Sequence, residues 1–118
     1  MRENVVKTKS FGFAVRIVRM YQYLCYEKKE FVLSKQLLRS GTGVGAMVRE
    51  AEHAETKADF KHKIGIAQKE INETIYWLEL LRETDYLSPE QFETVQAEAI
   101  EIIKLLTSIL KTSKRSND

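Results

Sequence analysis

The sequence predicts an all-α fold, an antiparallel up-down-up-down four-helix bundle. Three observations carry that reading. Four segments repeat their apolar residues at three- and four-residue steps, the period of one helix face. No segment alternates polar and apolar residues for long enough to make a strand, and the single proline, Pro89, falls at a helix start. The connections between the segments are short, which sets consecutive helices side by side in opposite directions. A chain of 118 residues fits one domain.

The first helix is expected over about residues 10–26. Ala14, Ile17, Val18, Tyr21, Leu24 and Cys25 form its inner stripe, with Lys9, Arg16, Arg19 and Tyr23 opposite. The charged turn Glu27-Lys28-Lys29-Glu30 ends it. The second is expected over about 34–54, with Leu37, Gly41, Val44, Val48 and Ala51 inside and Lys35, Arg39, Arg49 and His53 outside. The third is expected over about 57–84. Thr56 caps it, Asp59 sits in its first turn, and Phe60, Ile64, Ala67, Ile71, Thr74, Leu78 and Leu81 give it a packing seam. The fourth is expected over about 89–112. Ser88 and Gln91 make a capping box around Pro89, and Phe92, Val95, Ala99, Ile102, Leu106 and Ile109 form the stripe. The polar tail from Lys111 onward is expected to fray.

Composition narrows the class. Hydrophobic residues make up 43% of the chain, too many for a disordered protein. The one cysteine, Cys25, excludes an intramolecular disulfide and suits a reducing cytosol. No apolar run approaches a membrane span, and Met1-Arg2-Glu3-Asn4 leads into no secretion signal. The expected location is therefore the cytoplasm, with no membrane partner.

Charge is unevenly placed. Residues 1–49 hold 10 lysines and arginines against 3 acids, a balance of +7, and residues 50–118 hold 9 against 14, a balance of −5. Two readings follow. The halves attract each other inside one bundle, or the first half offers a basic surface to a polyanion.

Sites for chemistry are few. Gly41-Thr42-Gly43-Val44-Gly45-Ala46 matches a loose dinucleotide pattern but lies within a helix, without the strand that such a site requires. Each helical glycine costs about 1 kcal/mol relative to alanine, so close packing must compensate. Gly41 and Gly45 suit an approach within the bundle. Thr42, Gly43 and Ala46 suit a smooth outer patch for a second subunit. Glu50-x-x-His53 and Asp59-x-x-His62 resemble halves of a di-metal site, yet Glu50 and His53 lie off the Val44/Val48/Ala51 stripe and the first helix offers Lys7 and Lys9 in place of a carboxylate. No metal, cofactor or catalytic constellation is expected. Cys25 reads as a core residue. Trp77, beside Ile66 and Leu80, gives the third helix a second apolar edge that an oligomer would bury. Tyr23 shares its face with Arg16 and Arg19, a combination that can stack on bases and contact phosphates.

Several segments together resemble a known family: Lys9 to Val18, Gln36 to Thr42, Val48 to Ala51, Ala58 to Phe60, Lys69-Glu70 and Glu73 to Leu81. They are similar to the small bacterial four-helix-bundle proteins encoded in intervening sequences of 23S ribosomal RNA genes. The resemblance spans residues 7–112. It implies a left-handed bundle assembled into a ring-like homopentamer, and no enzymatic activity. It also implies kinship with the accessory variability protein of diversity-generating retroelements, a basic pentameric barrel that binds nucleic acid and a reverse transcriptase. Many members carry asparagine where this chain has Met47.

The combined expectation is a homo-oligomeric, non-enzymatic binding protein that meets RNA or DNA through Lys9, Arg16, Arg19, Lys35, Arg39 and Arg49. Its subunits would join through Thr42, Gly43, Ala46, Ile66, Trp77 and Leu80. The alternative is a protein–protein scaffold whose acidic second half meets a basic partner.

Overall fold

The structure is a computed structural model that describes the backbone of residues 2–116 and the side chains of residues 4–113. It contains four helices: α1 (Arg2–Tyr26), α2 (Leu33–Glu52), α3 (Lys57–Glu83) and α4 (Pro89–Ser116). No strand occurs among the described residues. Each helix packs on two others, in the cyclic order α1, α2, α3, α4 and back to α1, around one core. The molecule is an elongated rod of 48 × 21 × 19 Å. Between α1 and α2, Lys7 reaches Glu52 while Cys25 reaches Ser34. Between α1 and α4, Lys9 reaches Glu101 while Arg16 reaches Glu98.

The helix starts obey the local chemistry. Thr56 Oγ1 accepts the Asp59 N–H at 3.0 Å, which satisfies one of the open amides of α3. Ser88 and Gln91 bond reciprocally, at 2.8 and 3.1 Å, and form the capping box of α4. The start of α2 is capped from further back. The Glu30 carboxylate accepts N–H bonds from Val32, Leu33 and Ser34 at 3.2, 2.9 and 2.7 Å.

The inner faces of α2, α3 and α4 follow the expected stripes, except that Phe60 and Phe92 are only half-buried. Helix α1 differs in length and rotation. It begins at Arg2 rather than near residue 10. Its buried side is Val6, Ser10, Phe13, Ile17 and Leu24. Of the expected stripe, only Ile17 and Leu24 are buried; Val18 is exposed, and Ala14, Tyr21 and Cys25 are half-buried. Ser10, a polar residue in this inward seam, donates its hydroxyl to Lys7 O at 3.2 Å and so can be buried. Helix α4 also continues beyond residue 112, as far as Ser116. The buried Ser113 continues the stripe of Ile102, Leu106 and Ile109, so the tail is ordered by packing through at least that position.

Two glycines set the α1–α2 distance. A Cβ at Gly41 would stand 2.8 Å from both Cγ1 and Cγ2 of Ile17. One at Gly45 would stand 3.3 Å from the Ser10 carbonyl oxygen. These are the close approaches that their helix-propensity cost predicts.

Candidate functional site

Most of the six cations expected to meet nucleic acid are engaged within the chain. Lys9 Nζ lies 3.1 Å from Glu101 Oε2, and Arg16 Nε donates to Glu98 Oε1 at 2.9 Å. Both pairs cross an open furrow of about 960 Å³ between α1 and α4. Arg39 pairs with Glu73 and lies 3.5 Å from Glu70. The Arg49 guanidinium sits over the Phe11 ring, 5.3 Å from its centroid, a cation–π contact. Arg19 and Lys35 are exposed and form no ion pair among the described residues. Of the ten cations in residues 1–49, Lys9, Arg16 and Arg39 are answered by acids of α3 and α4. Tyr23 lines the furrow together with Arg16 and Arg19 and is half-buried against the core.

The residues expected at a subunit interface fall in different settings. Ala46 is exposed. Thr42 is half-buried and its hydroxyl donates to Leu38 O at 2.7 Å. Gly43 faces α3: a Cβ there would lie 2.5 Å from Glu70 Oε2. Ile66, Trp77 and Leu80 are half-buried. The Trp77 ring meets Tyr76 edge-on at 5.0 Å, and its Nε1 reaches Glu73 Oε1 at 3.5 Å.

The rotation of α1 uncovers a surface that the periodicity did not reveal. Phe11, Val15 and Val18 are 55, 40 and 37% exposed. Their spacing of four and three puts them on one side of the helix. The turn after α1 adds Tyr26, Phe31 and Val32, all well exposed. The available signal was Phe31-Val32, an apolar pair that belongs to no helical stripe.

The candidate metal motifs do not converge. Glu50 is taken by Lys63, 2.9 Å away, and that carboxylate holds the lysine pKa above its ordinary value. His53 and His62 are exposed. Among the described residues no three His, Cys, Asp or Glu side chains are grouped to hold a metal ion. The glycine run lies inside the continuous helix α2. Cys25 is half-buried, with its sulfur 3.8 Å from Ser34 Oγ. Glu52 is held below the ordinary carboxylate range chiefly by the hydrogen bond from Lys7. No described helix is long and apolar enough to cross a membrane.

The described residues form an all-α four-helix bundle. The family model of the 23S rRNA-intervening sequence protein matches residues 2–108, and the chain belongs to that family. Among solved structures it is similar to a protein of unknown function from the S23 ribosomal protein family of Bacteroides thetaiotaomicron VPI-5482. The two share 58% identity with a TM-score of 0.93, over 94% of this chain and 99% of that one. Among curated proteins none matches.

Proposed function

We propose that this protein is a non-enzymatic, cytoplasmic scaffold that assembles with copies of itself. The bundle is read as left-handed and up-down-up-down. The pairings of Lys7 with Glu52 and Cys25 with Ser34 support opposite directions for α1 and α2. The single observation that carries self-assembly is the exposed stripe Phe11, Val15, Val18. A contiguous apolar stripe on a small domain marks an interaction surface. Arg49, lying over Phe11, joins it to the α2 face that bears Ala46.

A ring of five, which the family resemblance suggests, needs heterologous contacts and hence two different patches on each subunit. The α3 edge with Ile66, Trp77 and Leu80 supplies the second. Light scattering during size-exclusion chromatography tests this. The expected result is a pentamer that Phe11→Glu/Val18→Glu converts to monomer with its helicity intact. A monomeric wild type overturns the reading.

A second reading, association with nucleic acid, is favoured by the unpaired, exposed Arg19 and Lys35. Fluorescence anisotropy of nuclease-treated protein, with a structured RNA and a DNA duplex at low and physiological salt, tests it. Saturable binding that survives physiological salt supports it; no binding at low salt ends it.

A further inference from the structure

The turn between α1 and α2 is built to display side chains that a connection does not need. Tyr26 is 72% exposed, Phe31 53% and Val32 73%. Among them stand Lys28 and Lys29, with Lys35 at the start of α2, all exposed. None of these lysines forms an ion pair with a described residue.

The turn is also held in shape. Glu27 N–H donates to Tyr23 O at 2.8 Å and Glu30 N–H to Leu24 O at 3.0 Å. Lys29 adopts a left-handed conformation at φ 56°. The Glu30 carboxylate is turned inward onto three amides of α2. Its charge is thereby spent on the helix start and does not face outward. Within residues 26–35 the one other acid is Glu27, against three cations.

Exposed aromatic rings between unpaired cations match one chemistry well. Unpaired bases stack on aromatic faces while ammonium groups contact the phosphates between them. A purely apolar protein partner would cover the rings but leave three lysines to be desolvated without partners. We propose that this turn is a contact site for single-stranded nucleic acid. Tyr26 and Phe31 stack on bases, and Lys28, Lys29 and Lys35 hold phosphates. The proposal rests on the nucleic-acid reading above and supplies the site that the paired arginines do not.

The test is anisotropy of the full chain with a labelled oligouridylate and with a DNA duplex. Two variants are compared with wild type: Tyr26→Ala/Phe31→Ala and Lys28→Gln/Lys29→Gln/Lys35→Gln. The changed side chains are exposed, and unchanged thermal melts confirm intact folds. The aromatic variant is expected to lose at least about fivefold in single-strand affinity per ring and nothing on the duplex. The lysine variant is expected to flatten the log-affinity against log-salt slope by about 2. Oligouridylate binding that both variants retain overturns the site and leaves the nucleic-acid reading standing. Absence of any binding by wild type at low salt overturns both.

Discussion

Glu30 shows how one side chain can settle where a helix begins. Burial of its carboxylate raises the pKa, but the N–H bonds from Leu33, Ser34 and Val32, with the Ser34 hydroxyl, outweigh that and hold it below the ordinary range. A carboxylate at a helix N-terminus also meets the positive end of the helix dipole. Replacing it with alanine should cost about 1–2 kcal/mol, the range of a lost cap. The sign of the pH dependence follows from the lowered value. The stabilisation is fully present above the unfolded-chain pKa of about 4.3 and is lost as pH falls through the lower folded-state pKa. Urea unfolding of wild type and Glu30→Gln should therefore differ at neutral pH and converge in acid. A gap that stays constant with pH would show that the charge is not what caps the helix. Sequence reading placed Glu30 in a charged turn because capping rules look for an acceptor next to the helix. Here it reaches across from a left-handed Lys29.

Helices α2, α3 and α4 were legible because each carries one dominant apolar stripe, even with Ser34, Ser40 and Thr74 on the buried side, so period alone oriented them. Helix α1 was not, because it carries two apolar stripes. One holds Val6, Phe13, Ile17 and Leu24 and is interrupted by Ser10; the other holds Phe11, Ala14, Val15 and Val18. Only packing against Gly41 and Gly45 decides between them, and a single sequence does not state which residues those glycines meet. The glycines give a direct check at this scale. Gly41→Ala gains up to about 1 kcal/mol of helix propensity. It also drives a Cβ into the stiff, branched Ile17, and overpacking of this kind costs about 1–3 kcal/mol. Gly12 and Gly65 have nothing within 4 Å of an added Cβ, so alanine there collects the propensity gain alone. Thermal unfolding should place Gly12→Ala and Gly65→Ala above wild type and Gly41→Ala below it. A stabilised Gly41→Ala would mean that α1 and α2 do not approach as closely as described.

At the scale of the whole molecule the charge asymmetry of the sequence is in part folded back on itself. The basic half, residues 1–49, holds α1 and most of α2, and pairs such as Lys9–Glu101, Arg16–Glu98 and Arg39–Glu73 join it to acids of α3 and α4. The asymmetry was readable from the chain, and attraction between its halves was one of two readings; which residues pair was not, because pairing depends on which helix faces lie side by side. Exposed pairs of this kind contribute about 0.2–1 kcal/mol each, so their removal is tolerated by the fold. Their larger effect is on the field. Each glutamate cancels a cation that a phosphate would otherwise meet. Glu98→Gln/Glu101→Gln should free Arg16 and Lys9 across the α1–α4 furrow while leaving the melting temperature nearly unchanged. If these cations lie along the path of a bound nucleic acid, affinity rises and the salt slope steepens by about 1–2, one counterion for each new contact. An unchanged slope in a folded variant would separate the furrow from any nucleic-acid path and leave the α1–α2 turn as the contact to map.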